Sequence, residues 1–170
     1  MKSRGNITSR RSIAAVTVLA LAWLVTPVPV VAQNAYITNQ GVYPNFSNSV
    51  TVIDTTTNKV VTTIDVGLAP AGVAVTPDGR RVYVTNLNNT VSVIATATNA
   101  VSATISVGNG PVGVAFTPDG SKAYVANQFD NTVSVIATVS NTVVATIDVG
   151  ASPIAFGIFI LPRSRSAPAR

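Results

Sequence analysis

The sequence predicts an all-β fold, and three observations carry that expectation. A block of about 41 residues recurs along the chain. Within each block, Val and Ile alternate with Ser, Thr and Ala at the period-2 spacing of a strand. Pro-Asp-Gly and Asn-rich turns separate the alternating stretches, and no segment after residue 33 carries a helical period.

The repeat is detailed. Thr76-Pro77-Asp78-Gly79 returns as Thr117-Pro118-Asp119-Gly120, a spacing of 41. Tyr36-Ile37-Thr38-Asn39, Tyr83-Val84-Thr85-Asn86 and Tyr124-Val125-Ala126-Asn127 are three copies of one motif. Val50-Thr51-Val52-Ile53 returns as Val91-Ser92-Val93-Ile94 and Val133-Ser134-Val135-Ile136, at spacings of 41 and 42. Ile64-Asp65-Val66-Gly67 returns as Ile105-Ser106-Val107-Gly108 and Ile147-Asp148-Val149-Gly150.

Each block reads as four short strands. In the second copy, strand one runs from about Gly72 to Val75 and ends in the Pro-Asp-Gly turn, where Pro presets φ and Gly supplies a positive φ. Strand two covers about Arg81 to Thr85, strand three Val91 to Ala95 and strand four Val101 to Val107. Four strands in roughly 40 residues is the signature of a β-propeller blade.

The ends of the repeat region are informative. The first copy starts at strand two, Ala35 to Asn39, and has no strand one of its own. Pro153 to Ile158 aligns with the strand-one segments Pro70 to Val75 and Pro111 to Phe116. Small residues recur at alternate positions: Gly72 and Ala74, Gly113 and Ala115, Ala155 and Gly157. That pattern suits the innermost strand, where blades converge, so Ile154 to Ile160 is expected to be an orphan strand one. Three blades fall short of the 4 to 8 of typical rings. A single chain is therefore expected to form an open wedge. Two readings follow: two chains pair head to tail into a six-bladed ring, or the chain is a shortened, marginal relative of a full propeller; self-association through the open blade edges is the expectation.

These motifs also resemble a known family. Pro-x-Gly-Val-Ala, Thr-Pro-Asp-Gly, Tyr-Val-Thr-Asn, Asn-Thr-Val-Ser-Val-Ile and Thr-Ile-x-Val-Gly are similar to the YVTN family of β-propeller repeats. That family occurs in microbial surface-layer proteins and periplasmic YncE-like propellers. The resemblance covers Ala35 to about Ile160 and implies a propeller of about seven blades, of which this chain carries three. It implies no single biochemical activity.

Composition narrows the function. The formal charge is +5, but seven of the eleven basic residues lie in the first eleven and last eight positions. Between Gln33 and Ile160 only Lys59, Arg80, Arg81 and Lys122 stand against all six acids, a net charge of −2. A nucleic-acid binder needs a clustered basic face, so no nucleic-acid partner is expected. The chain has no Cys, His or Glu. Disulfides, thiolate nucleophiles, His-based triads and His- or Cys-ligated zinc or haem are excluded.

The N-terminus reads as an export signal. Lys2, Arg4, Arg10 and Arg11 precede an apolar run from Ile13 to Val25, broken by Pro27 and Pro29. Val30-Val31-Ala32 is a small-residue cleavage pattern, so cleavage is expected after Ala32. The alternative is an uncleaved anchor, because Ile13 to Ala32 is 20 mostly apolar residues. Ser9-Arg10-Arg11 also resembles a twin-arginine signal. The expected organisation is a signal peptide over 1–32, a three-blade region over 33–162 and a disordered basic tail over 163–170. The expected location is the periplasm, cell surface or extracellular space.

The acids show no catalytic pairing. Asp78 and Asp119 sit in turns, Asp65 and Asp148 share one strand-four position, and Asp54 aligns with Ala95 and Ala137. Neither a catalytic residue nor a metal or cofactor is expected. The alternative is a partial relative of a propeller enzyme, lactonase or quinoprotein-like, without its catalytic residues.

Candidate binding residues come from irregular positions instead. Between strands two and three the second copy holds only Leu87-Asn88-Asn89-Thr90. The first holds ten residues there, Gln40 to Ser49, and the third holds Gln128-Phe129-Asp130-Asn131-Thr132. Tyr43, Phe46 and Phe129, with Gln40, Asn45, Gln128 and Asp130, form a candidate recognition surface for a protein or an envelope polysaccharide. Alternatively, Tyr43 and Phe46 fold back to cover a blade edge.

Overall fold

The computed structural model describes residues 33–157, 159 and 160. The expected signal peptide and basic tail lie outside the described residues. Among these residues, eleven antiparallel strands form three sheets in chain order. Blade 1 has β1 (Asn34–Val42), β2 (Asn45–Asp54) and β3 (Lys59–Asp65). Blade 2 has β4 (Pro70–Val75), β5 (Arg81–Asn86), β6 (Thr90–Ala95) and β7 (Ala100–Ser106). Blade 3 has β8 (Pro111–Phe116), β9 (Lys122–Asn127), β10 (Thr132–Ala137) and β11 (Thr142–Asp148). The fold is an all-β arc of propeller blades that does not close.

The repeat dictates local geometry as well as strand order. A register shift falls at Val52/Ile53, Val93/Ile94 and Val135/Ile136, the same place in each blade. A bulge there increases twist between strands three and four. The two Thr-Pro-Asp-Gly turns are built alike. Thr76 Oγ1 donates to Asp78 Oδ1 at 2.6 Å and Thr117 Oγ1 to Asp119 Oδ1 at 2.5 Å. Each Asp Oδ1 also accepts a backbone N–H two residues on, from Arg80 and Ser121 at 3.0 Å. These bonds favour the carboxylate form. The hydroxyl of Thr117, then the N–H and hydroxyl of Ser121, hold Asp119 at a pKa of about 2. Thr76, then the Arg80 N–H, lower that of Asp78.

Blades join through apolar faces. Tyr36, Val50, Val52 and Ile64 of blade 1 form one buried cluster with Val82, Val84 and Ile94 of blade 2. Tyr83, Val91, Val93 and Ile105 of blade 2 repeat that cluster with Val125 and Ile136 of blade 3. Burial at these positions stabilises each joint by about 1.5–3 kcal/mol per large aliphatic side chain.

Two polar devices mark the same joints. The Tyr36 hydroxyl donates to Asn99 Oδ1 of blade 2 at 2.7 Å, and the Tyr83 hydroxyl to Asn141 Oδ1 of blade 3 at 2.6 Å. The Asn that ends strand two donates its amide to two hydroxyls on strand three. Asn86 reaches Thr90 and Ser92, both at 3.0 Å, and Asn127 reaches Thr132 and Ser134 at 3.0 and 2.9 Å. Each of these amides lies against a glycine of the preceding blade. A Cβ on Gly67 would stand 2.6 Å from Asn86 Nδ2, and one on Gly108 2.5 Å from Asn127 Nδ2.

One expectation changes. The first sheet has three strands, as the missing strand one implies, while the orphan strand expected over Ile154 to Ile160 does not form among the described residues. Pro153 to Phe156 has no regular secondary structure. Strand one pairs with strand two of its own blade, as β4 does with β5 and β8 with β9. No such strand follows Pro153 among the described residues. The segment nevertheless packs where an inner strand belongs. A Cβ on Gly113 would overlap the Ala155 carbonyl oxygen, just as one on Gly72 would press on the Val112 carbonyl oxygen at 2.7 Å.

Candidate functional site

The loops between strands two and three lie on one face with the loops between blades. Backbone bonds tie them together: Ala69 N to Ser47 O at 2.7 Å, Val107 N to Asn89 O at 3.0 Å, and Gln128 N to Gly110 O at 2.9 Å. The inserted residues of blade 1 are not the irregular loop that their Gly, Pro and Asn content suggests. They extend β1 and β2 into a long hairpin whose tip is Tyr43-Pro44. Gly41 makes this possible. It sits at φ +73° beside a register shift between Asn39 and Gly41, and a Cβ there would clash with the Ser47 nitrogen at 2.5 Å.

Tyr43 is 84% exposed and Phe46 is 40% exposed. Their rings meet edge to face with centroids 6.2 Å apart. The pair is thus solvent-facing at the tip rather than a cover over the blade edge. Gln40 and Asn45 flank it and are exposed.

The other candidates belong to blade 3. Phe129 is 64% exposed, and its ring lies over Gly110, where a Cβ would stand 2.5 Å from Cδ2. Asp130 Oδ2 accepts the Asn109 N–H at 2.6 Å, and Gln128 Nε2 donates to Ser152 Oγ at 3.4 Å. Asp130 and Gln128 therefore also brace the inter-blade loops. The structure brings Tyr43 and Phe46 together, and separately Gln128, Phe129 and Asp130. The two groups stand on different blades of the same loop face.

A groove elsewhere on the blades was not legible in the sequence. A groove of about 480 Å³ runs along the innermost strands, lined by Val73, Val75, Val114, Phe116 and Ile160 among others. None of its lining residues is charged. The spacing of small residues signals the inner strands, but not a groove between them. Among the described residues no three Asp side chains converge to hold a metal ion.

Radial sheets of three or four antiparallel strands, joined face to face in chain order, define the chain as part of a β-propeller. The sequence model described as "Lactonase, 7-bladed beta-propeller" matches residues 33–144, and the chain belongs to that family. Comparison with the curated proteins gives no match. Among solved structures, the hydrazine synthase of Kuenenia stuttgartiensis is 34% identical with a TM-score of 0.64, over 69% of this chain and 33% of that one. Apo AztD from Citrobacter koseri is 18% identical with a TM-score of 0.56, over 65% of this chain and 32% of that one. The dihydro-heme d1 dehydrogenase NirN, in complex with DHE, is 19% identical with a TM-score of 0.57, over 67% and 24%. AztD and NirN share the fold alone with this chain, which spans a third or less of each of these structures.

Proposed function

We propose that the chain is an exported, non-catalytic binding module of YVTN-like propeller blades, using the aromatic side chains on its loop face. The observation that carries this reading is the blade 1 hairpin. Its Tyr43 and Phe46 rings meet edge to face and are exposed at the tip of a β-hairpin. Exposed rings beside amide side chains suit stacking on sugar faces and packing on protein partners. An envelope polysaccharide is the occupant favoured, because Gln40, Asn45 and Gln128 supply uncharged hydrogen-bonding groups next to the rings.

The family favours a second reading, lactone hydrolysis. Against it stands a chain without His or Glu, whose five other acids besides Asp130 occupy turn and strand positions of the repeat. Co-sedimentation with insoluble envelope polysaccharide tests the binding reading. The wild-type chain is expected to pellet. A Tyr43→Ser, Phe46→Ser, Phe129→Ser variant is expected to stay soluble with an unchanged β circular dichroism spectrum and Tm. Equal pelleting of both would contradict it, and loss of folding would make the aromatics structural. Turnover of a simple lactone by the purified protein would favour the enzyme reading.

A further inference from the structure

We propose that the outer face of blade 3 is a docking surface for blade 1 of a second copy of this chain. The two internal joints specify what such a face takes. Each buries a strand-four Ile of one blade against a strand-two and a strand-three aliphatic of the next. In the first joint these are Ile64 with Val84 and Ile94. In the second they are Ile105 with Val125 and Ile136. The equivalent residue on blade 3 is Ile147, which is 45% exposed, against 6% for Ile64 and 5% for Ile105. The equivalents on blade 1 are Ile37, which is 49% exposed, and Ile53, which is half-buried. Each open face carries the half of the joint that the other lacks.

The polar devices are split in the same way. Tyr124 stands where Tyr36 and Tyr83 stand, and its hydroxyl makes no hydrogen bond among the described residues. Asn58 stands where Asn99 and Asn141 stand, at the same left-handed turn position, with φ 55° against 50° and 54°. Gly150 stands where Gly67 and Gly108 receive an Asn amide, and a Cβ there meets nothing within 4 Å. Asn39, the strand-two Asn of blade 1, already donates to Ser49 and Thr51 at 3.1 and 2.8 Å, as Asn86 and Asn127 do to their hydroxyls. In the proposed joint, Tyr124 donates to Asn58 Oδ1 and Asn39 lies against Gly150.

The strand edges match as well. Among the described residues β1 pairs with β2 alone, and Pro153 to Gly157 has an inner-strand sequence and no ladder. In blade 3 the register is Pro111 with Asn127 and Val114 with Val125. Transferred to the second copy, it pairs Pro153 with Asn39 and Phe156 with Ile37. Two copies joined reciprocally make six blades, within the range of closed rings. One position loosens the fit. Ala155 stands where Gly72 and Gly113 allow close approach of the next inner strand. The third joint is accordingly weaker than the internal ones, and the pair is expected to dissociate on dilution.

Light scattering on the protein as isolated, across a dilution series, tests this. The mass is expected to be that of two chains at high concentration. Ile37→Asp and Gly150→Ala are each expected to shift it to one chain. Gly150→Ala alters only open space in the single chain, so its far-ultraviolet spectrum stays unchanged. Tyr124→Phe is expected to weaken pairing about threefold to tenfold, and Ala155→Gly to tighten it. A single-chain mass at every concentration would overturn the proposal. So would a dimer whose dissociation constant neither Ile37→Asp nor Gly150→Ala moves.

Discussion

Strand four of blade 2 and strand four of blade 3 have nearly the same sequence pattern and opposite surroundings. β7 carries Ile105 at 5% exposure, covered by blade 3. β11 carries Ile147 at 45%, and every residue of that strand is exposed. The backbone pairing is the same, down to the bulge after the third residue of its partner strand's apolar run. Strand formation in this repeat is therefore local, whereas burial depends on the next blade. Each blade completes the core of its predecessor, as expected of a repeat architecture.

That contrast can be broken at single residues, in the Ile37→Asp background so that a second copy does not cover blade 3. The largest effect is expected from paired truncations. Ile105→Ala should cost about 2–5 kcal/mol in urea unfolding and Ile147→Ala within about 0.5 kcal/mol. Similar costs would mean that blade 3 has a cover the structure does not show.

A smaller effect sharpens the comparison between joints and turns. The turn carboxylates sit on exposed loops and gain their low pKa from local bonds rather than from blade contacts. Asp119 has a folded pKa of about 2, below the unfolded value near 3.9. Its stabilising contribution is present above the unfolded value and is lost as pH falls from about 4 through about 2. Asp119→Asn should flatten the acid limb of stability in that window and leave neutral pH cooperativity alone. An acid titration of the urea midpoint checks it. An unaltered acid limb would show that the turn bonds persist with a protonated side chain.

Much of this was legible in the sequence, for physical reasons that differ by feature. Thr76-Pro77-Asp78-Gly79 fixes its own turn with groups five residues apart or fewer, so its geometry follows from the motif. The period-2 strands follow from alternation. The joints were not legible in the same way. Tyr36 and Asn99 are 63 residues apart, Tyr83 and Asn141 58. The signal that could have found them is the recurrence of Asn58, Asn99 and Asn141 at one position of the repeat. The strand character of the residues flanking Tyr43-Pro44 is masked in the sequence because Gly41, Pro44 and Asn45 carry turn propensity, while the register shift lets the ladder continue past Gly41. Pro153 to Gly157 has the right residues for a strand but no partner, and an inner strand exists only in a ladder. Of the candidate site, the exposure of Tyr43 and Phe46 depends on how the hairpin projects, which no spacing encodes.

Equivalent positions of the three blades differ by what the neighbouring blade places against them. Adding a single methyl group tests it most directly. In the Ile37→Asp background, Gly108→Ala is expected to destabilise the chain by about 1–3 kcal/mol, because the new Cβ must displace the Asn127 amide. Gly150→Ala is expected to be neutral or stabilising by up to about 1 kcal/mol, because it restricts the unfolded chain and meets open space. Urea unfolding of the two variants side by side gives the answer. Equal destabilisation would contradict the account, since Gly150 would then be packed against something in the single chain.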